Sequence, residues 1–200
     1  MTAKEQAKQV VYEAVTPEDT DEVAALYGEY LNSGIPMQIH EREALLSPDY
    51  LGYKAVWNGT IVGLLSATKG LEFTYPHPEL EKRIKDFLED RPVYTADAII
   101  VRENFRHHEV MKWLSRELIP RLYETGYRYL AVEMWVHPDG ETPAAKAAGF
   151  WGDKVYEEAI PDFYRDLKKY KMVCPLCGEI CRCGARINIF RITEQTLLKL

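Results

Sequence analysis

Four cysteines lie within ten residues of one another near the end of this 200-residue chain. Cys174 and Cys177 form a Cys-x2-Cys pair followed by Gly178, and Cys181 and Cys183 form a Cys-x-Cys pair. Two thiolates one tight turn apart, with a glycine that lets backbone N–H groups face sulfur, suit a closed tetrahedral zinc site with a structural role. The sequence therefore predicts a zinc knuckle with four cysteine ligands.

The spacing between the two pairs leaves alternatives open. Only three residues separate Cys177 from Cys181, whereas an ordinary zinc ribbon has about 15 to 20. A strained site, a site shared by two chains, an iron–sulfur cluster, redox-active thiols and four unligated cysteines all stay open. Zinc leads, because clustered cysteines in a cytosolic chain indicate metal binding before disulfides.

Two acidic residues interrupt strand-like runs. Asp97 lies within Val93–Val101, among Ala98 and other apolar neighbours, and Glu133 lies within Tyr129–Val136. An unpaired carboxylate is costly in such surroundings, and burial raises its pKa toward neutrality, which suits a general base. The pattern predicts Asp97 as the base, with Glu133 second, unless these side chains face solvent or pair with a cation.

An amphipathic helix is predicted after the first of these strands. The turn before it and its first residues are Arg106, His107, His108, Glu109, Val110 and Met111. A helix N-terminus reached through a tight turn binds phosphate through its free N–H groups and its dipole. Arg106 and the two histidines add donors, whereas Glu109 adds bulk and negative charge. A solvated helix start is the plain alternative.

This order of features resembles the GNAT superfamily of acyl-CoA N-acyltransferases over about residues 8 to 165. The resemblance rests on the strand-end Val101, on Arg106, on 142–144 (Thr-Pro-Ala) and on Gly149 followed by Phe150. In the family, Arg or Gln is followed by two residues, Gly, one residue, and Gly or Ala. This chain departs from that pattern at both small positions, Glu109 and Met111.

The resemblance implies transfer of an acetyl or other acyl group from acyl-CoA, without a covalent enzyme intermediate, to a primary amine of a small molecule or peptide. Backbone groups near Ile100 and Val101 would hold the pantetheine, with the thioester between the fourth and fifth strands, and residues 106–111 would hold the pyrophosphate. Ala145 stands where the family often has a tyrosine acid, so the acid is missing, supplied elsewhere or provided by water. Tyr156 and Tyr164 are distant candidates, and packing in the core is the alternative role for both. GNAT-like folds are often dimers, so a homodimer is also implied.

Two rival interpretations remain at this stage. Glu109, Met111 and Ala145 favour a catalytically degenerate GNAT-fold binding or regulatory module with a structural zinc site. Alternatively, the cysteine cluster is a thiol or metal sensor attached to the domain.

The elements that must position these residues follow a mixed α/β order. Periodicity predicts a strand from Lys8 to Val15, two helices, a hairpin turning at Asn58-Gly59, and then helices and strands in alternation. Pro120 predicts a kink or a break in its helix. The order favours a mixed central sheet flanked by helices on both faces. We expect a GNAT-like acyltransferase domain over 1–170, with the knuckle, a terminal strand and a helix over 171–200 packed on it.

Composition narrows the class of protein. The net charge of −6 argues against a general nucleic-acid binder, which needs a basic face. No apolar run approaches the roughly 20 residues of a membrane helix, and no apolar segment follows the start of the chain. The sequence therefore predicts a cytoplasmic protein that binds neither nucleic acid nor membrane.

Overall fold

Strands and helices alternate along the chain in this computed structural model, which describes residues 9–35, 37, 39–74, 76–106, 108–178 and 180–200, with only the backbone at 39–41. The strands are β1 (Val11–Ala14), β2 (Tyr50–Trp57), β3 (Thr60–Lys69), β4 (Val93–Val101), β5 (Tyr129–Val136), β6 (Asp153–Ile160) and β7 (Gly184–Arg191). The α-helices are α1 (Thr20–Leu31), α2 (Ile39–Ala44), α3 (Pro78–Leu88), α4 (Val110–Glu124) and α5 (Glu194–Lys199). Shorter 3-10 helices span Pro17–Asp19, Glu103–Phe105, Pro143–Phe150 and Phe163–Tyr170.

The strands form one mixed sheet in the order β1-β2-β3-β4-β5-β7-β6. Neighbouring strands are antiparallel except β4 and β5, which are parallel. The mixed sheet predicted from the sequence is therefore confirmed. The strand that follows the cysteines, β7, lies between β5 and β6 rather than at an edge of the sheet.

The predicted hairpin joins β2 and β3. Trp57 pairs with Thr60, and the two residues between them have left-handed φ angles, 49° at Asn58 and 75° at Gly59. This is the backbone that a two-residue primed turn requires, and Asn and Gly adopt it at low cost. The hairpin fixes the register of β3, which in turn pairs with β4.

Helices cover both faces of the sheet, as predicted. On one face, α4 packs on the central strands through a buried stripe that includes Leu114, Leu118 and Leu122. On the other face, α1 covers β3 and β4 through Val23 and Leu26. The same face carries a second layer over β5 and β7, made by α3 and the 3-10 helix Phe163–Tyr170. The boundary between these two layers therefore lies over β4 and β5, and we call it the seam.

Some local features differ from the expectations. Helix α4 is continuous through Pro120, so the break that was one of the two expected outcomes does not occur, because the apolar face of the helix is buried against the sheet. The first strand begins at Val11, and Lys8 lies outside the described residues. No element was predicted over 163–170, where the structure has a 3-10 helix. None of the helices in the described part of the chain has the length and apolar character that a membrane crossing requires.

Candidate functional site

The parallel strands β4 and β5 stop pairing halfway along their length. Their ladder runs from the pair Val93 and Tyr129 to the pair Ala96 and Val132. Beyond that point β4 continues to Val101 bonded to β3, and β5 continues bonded to β7. The facing edges of β4 and β5 therefore carry backbone groups that no longer bond across to each other. This opening is the gap in which the family resemblance implies that the thioester lies.

Asp97 is the first residue of β4 beyond the last pair with β5, and it sits at a β-bulge. On the β3 side, Ser66 pairs with Ala98 and the next residue, Ala67, pairs with Ala96, so Asp97 is the extra residue. Bulges re-aim side chains and are frequent beside active sites. Here the bulge turns Asp97 toward the sheet face that carries α1, at the edge of the gap.

The carboxyl group of Asp97 has a pKa near neutral pH. Burial, helped by the nearby Glu72 carboxylate, raises its pKa to about 7, and a hydrogen bond of 2.6 Å from Thr68 Oγ1 to Asp97 Oδ2 opposes the rise. This hydrogen bond is the one that Asp97 accepts among the described residues. A carboxyl group in this state can exchange a proton with an amine at physiological pH.

Two half-buried tyrosines of the same face, Tyr27 and Tyr50, lie close to Asp97. The Tyr27 hydroxyl is 3.0 Å from Ser66 Oγ, and burial, with the charge of Asp97, raises its pKa well above the usual range. Burial likewise raises the pKa of Tyr50, whose hydroxyl has no well-formed hydrogen bond within the described part of the chain. Both hydroxyls stay protonated and add polar groups to the surroundings of Asp97.

Glu133 occupies the matching place on β5 but is held much more firmly. The backbone N–H of Thr74 donates to Glu133 Oε2 at 3.0 Å, the Thr74 hydroxyl donates to Oε1, and the Tyr164 hydroxyl donates to Oε1 at 2.6 Å. Burial raises the pKa of Glu133, and these three hydrogen bonds oppose the rise. Glu133 therefore anchors the segment that leads from β3 to α3 and the 3-10 helix that carries Tyr164.

The start of α4 lies at the β4 end of the gap. Glu109, directly before the helix, has a left-handed backbone with φ of 61°, and its carboxylate is 3.2 Å from Lys112 Nζ. A glycine adopts such a backbone freely, whereas a glutamate is strained in it. The first-turn N–H groups of a 15-residue helix such as α4 have no partner within the helix and are available to an anion.

The other residues predicted to hold a cofactor are dispersed around this helix start. Arg106 Nε donates to Val101 O at 3.1 Å, and its guanidinium lies 6.0 Å from the Tyr30 ring centre. Val110 and Ile100 are buried, so only their backbone faces a ligand. Val101, His108 and Met111 are half-buried, and His107 lies outside the described residues. The structure thus brings together backbone groups rather than a cluster of basic side chains.

Of the two tyrosines considered as acids, only Tyr164 lies at the seam. Tyr156 is on β6 and donates to Glu158 at 2.5 Å. Ala145 lies in the 3-10 helix Pro143–Phe150, as the sequence suggested. Sequence reasoning missed the partners of the two carboxylates, Thr68 and Thr74, because both lie far from them in the chain and threonines carry no distinctive spacing.

The four cysteines converge into one cluster, as their spacing predicts. Their sulfur atoms all lie within 4.8 Å of one another, and none forms a disulfide. The Sγ atom of Cys183 is 3.9 Å from that of Cys174 and 3.5 Å from that of Cys177. Zinc–sulfur bonds of about 2.3 Å put tetrahedral sulfurs about 3.8 Å apart. The cluster therefore has nearly the dimensions of a zinc tetrathiolate.

A wide depression on the described surface lies elsewhere. It has a volume of about 680 Å³ and lies between the ends of β1 and β2 and the second half of α4, near Arg116 and Glu124. It borders neither Asp97 nor Glu133. We therefore define the candidate site by the β4–β5 gap and the carboxylates beside it.

The fold of this chain, a mixed sheet with parallel β4 and β5 that separate beside a helix N-terminus, is similar to that of several solved N-acetyltransferases. Arabidopsis thaliana NAA60 in complex with a bisubstrate analogue matches with a TM-score of 0.64, 14% identity and 92% of this chain against 99% of that chain. The NatC complex bound to Gag peptide and CoA matches with a TM-score of 0.62, 14% identity, and 92% against 99% coverage. An N-acetyltransferase from Staphylococcus aureus Mu50 matches with a TM-score of 0.60, 14% identity and the same coverage. No protein-family model and no curated protein sequence matches the chain.

Proposed function

We propose that the protein transfers an acetyl or other acyl group from acyl-CoA to a primary amine, with Asp97 as the general base. The observation that carries this proposal is the opening between β4 and β5 with the Asp97 carboxyl group, of pKa about 7, at its edge. Structures with the same fold include NAA60 in complex with acetyl-CoA, at a TM-score of 0.62 and 13% identity. The acceptor is a small molecule or a peptide.

The cofactor is held mainly by backbone. Beyond Ala96, the β4 edge offers N–H and C=O groups that the amides of pantetheine can pair with, as a further strand would. The pyrophosphate lies at the N-terminus of α4, where free N–H groups and the helix dipole attract an anion. Lys112 offsets the negative charge that Glu109 brings to this position.

The chemistry needs one base. Asp97, as a carboxylate, takes a proton from the bound ammonium group, and the free amine attacks the thioester carbonyl carbon. Backbone N–H groups of the β4 edge stabilise the oxyanion, the C–S bond breaks, and the amide and the CoA thiolate separate. As the adduct collapses, its nitrogen loses the second ammonium proton, and water carries this proton to the thiolate, because Ala145 has no acidic group and the Tyr164 hydroxyl donates to Glu133. Glu133 shapes the acceptor wall.

Replacing Asp97 with Asn tests this proposal. Asp97→Asn keeps the shape and an acceptor for Thr68 but removes the base, so kcat/KM for amine acetylation is expected to fall about 10²- to 10⁴-fold with acetyl-CoA binding unchanged. Asp90→Asn is the matched control, since Asp90 is exposed, lies outside the seam and has a left-handed φ of 57° that Asn tolerates. Equal activity of the two variants would remove Asp97 from the mechanism.

A second candidate function is a GNAT-fold binding or regulatory module without catalysis. The observation that favours it is Glu109, whose strained backbone and carboxylate occupy the place where an anion would approach. The double variant Glu109→Gly, Met111→Gly separates the two functions. A module with a degenerate site gains acetyl-CoA binding from the double variant, whereas a working enzyme already binds acetyl-CoA before the change.

The proposed location is the cytoplasm. A reducing compartment keeps the four cysteines as thiols available to a metal ion, which is the state that their clustering requires. A homodimer remains part of the proposal, since the fold often forms one, and the net charge of −6 suits a cationic amine acceptor better than a nucleic acid.

A further inference from the structure

The segment that carries the cysteines also contacts one wall of the seam between the two helical layers. The backbone N–H of Tyr164 donates to Cys183 O at 3.3 Å, and the Tyr164 hydroxyl donates to Glu133 Oε1 at 2.6 Å. Tyr164 is 2% exposed, so its ring has little freedom to turn away from this position. One residue therefore joins the cysteine cluster directly to the carboxylate beside the gap.

The same segment is tied to the opposite wall. The backbone N–H of Val173, next to the first cysteine, donates to Asn32 Oδ1 at 2.8 Å, and Ser33 Oγ donates to Val173 O at 3.0 Å. Asn32 and Ser33 directly follow α1, the helix whose Tyr27 lies near Asp97. Both walls of the seam thus depend on where the stretch from Val173 to Cys183 is held.

Secondary structure contributes little to holding the stretch from Val173 to Cys183. In its described part, it has one isolated bridge, between Cys174 and Gly178, and no strand or helix until β7 begins at Gly184. Three of the four cysteines are nevertheless buried. A loop that buries three cysteines with so few backbone bonds is suited to a cross-link, and a cluster of four thiols can supply one through a metal ion.

We propose that Cys174, Cys177, Cys181 and Cys183 bind one zinc ion and that this ion fastens both walls of the seam around Asp97 and Glu133. Four thiols lose their protons to solvent as four zinc–sulfur bonds form, with no change in oxidation state. The backbone N–H groups of Cys177 and Cys183 point to Cys174 Sγ and Cys181 Sγ, both at 3.4 Å, and offset part of the negative charge of the tetrathiolate. Four sulfurs leave no open position on zinc, so the ion acts on structure and not on the substrate.

Metal content tests the site itself. The full chain, purified without chelators, is expected to hold one zinc per chain, and cobalt substitution is expected to give the intense visible bands of a tetrahedral thiolate site. Cys181→Ser should lose the metal, whereas Leu176→Ser, at an exposed position between two of the cysteines, should keep it. A metal-free chain, an iron–sulfur chromophore, or zinc retained in Cys181→Ser would each overturn the zinc assignment.

Amide hydrogen exchange tests the fastening. Removing zinc with a chelator is expected to speed exchange by about tenfold or more in residues 163–170 and 28–35, with little change in α4 on the opposite face of the sheet. Zinc loss that leaves both segments as protected as before would overturn the role of the ion in holding the walls.

If the metal-free chain unfolds, hydrogen exchange can instead be compared between the zinc-loaded protein and a zinc-loaded variant. Asn32→Ala removes the acceptor for the Val173 N–H without touching the cluster. It should keep its zinc and speed exchange at 28–35 but not at 163–170; unchanged exchange at 28–35 would overturn the tie to α1. The idea that these walls border the binding site of an acceptor amine rests on the proposed function. Metal content and exchange need no acyl-CoA, so failure of either proposal is distinguishable from failure of the other.

Discussion

Asp97 and Glu133 occupy matching places on neighbouring strands, yet their surroundings give them different roles. Asp97 accepts one hydrogen bond within the described residues, from Thr68, whereas Glu133 accepts three, from Thr74 and Tyr164. A base must be able to gain a proton without breaking the structure around it. Asp97 meets this requirement, while protonation of Glu133 would weaken three contacts that join separate elements.

The raised pKa of Asp97 makes folding stability depend on pH. The folded state binds this proton more tightly than the unfolded chain, whose aspartate pKa is about 3.9. The contribution of Asp97 to stability is therefore full below about pH 4 and is lost as pH rises to about 7. Asp97→Asn should remove this loss and make the protein more stable than wild type at pH 8, on the order of a few kcal/mol. Urea unfolding at pH 5 and pH 8 measures the effect; equal pH dependence in both proteins would contradict it.

The same titration sets the pH dependence of activity. Only the carboxylate form of Asp97 can accept a proton, so kcat/KM should rise with pH through about 7 and then level off. Asp90→Asn should keep this rising limb, because Asp90 is exposed and follows the end of α3, and Asp97→Asn should lack it. A rising limb of the same position in Asp97→Asn would assign the titration to another group.

The backbone of Glu109 is strained, so replacing this residue with glycine should change both stability and acetyl-CoA affinity. Glu109→Gly relieves a left-handed φ of 61° and clears a carboxylate from the α4 N-terminus. Stability should rise by about 0.5–1 kcal/mol, and acetyl-CoA should bind more tightly. Glu89→Gly is the matched control, because Glu89 also has a left-handed φ, of 50°, and pairs with Arg91, 2.6 Å away.

The control separates strain from anion binding. Glu89→Gly should gain similar stability and leave acetyl-CoA affinity unchanged. If both variants change affinity alike in calorimetric titrations, the α4 N-terminus does not hold the pyrophosphate.

Site residues could be predicted from the sequence only in part. Asp97 stands out because a carboxylate among apolar strand residues is rare, and the cysteines stand out through their spacing. Thr68, Thr74 and Tyr27 carry no such signal, since they meet the carboxylates only through strand pairing and layer packing. The backbone strain at Glu109 is a property of the loop conformation and cannot be inferred from a glutamate at that position.

At the scale of elements, a single glycine lets β6 start against the end of β7. Gly152 has φ of 133°, and a Cβ there would lie 2.4 Å from the backbone oxygen of Arg191, which pairs with Asp153. Gly152→Ala should therefore cost about 2 kcal/mol or more. Gly140→Ala is the control, since Gly140 has φ of 88° and open space around it; it should cost about 1 kcal/mol. Urea unfolding of both variants checks the difference, and equal costs would contradict the close approach at Gly152.

Elements with a strong local signal were predictable, and elements held by tertiary contacts were not. The Asn58-Gly59 turn is determined by the φ preferences of two residues. The 3-10 helix Phe163–Tyr170 depends instead on packing of Phe163, Tyr164 and Leu167 against β7 and α3. Helix α4 survives Pro120 for a similar reason, because burial of its apolar face outweighs one lost hydrogen bond.

At the scale of the whole molecule, the segment after residue 170 completes the central sheet. Strand β7 pairs with β5 on one side and β6 on the other, and it buries Ile187, Ile189 and Phe190. A chain ending at Tyr170 should lose cooperative unfolding. The free energy that burial of the missing apolar side chains contributes is comparable with the whole free energy of unfolding of a domain. A chain ending at Thr193, which lacks only α5, should keep a cooperative transition. Circular dichroism during urea unfolding distinguishes them, and cooperative unfolding of the shorter chain would show that 1–170 folds alone.

In the proposed function, the opening between β4 and β5 holds acyl-CoA. Calorimetric titration of the zinc-loaded protein with acetyl-CoA tests it most directly, at several temperatures because the heat of binding can vanish at one of them. We expect micromolar binding to one site per chain, tightened by Glu109→Gly and unaffected by Asp97→Asn. Absence of heat at every temperature, for wild type and Glu109→Gly alike, would contradict it.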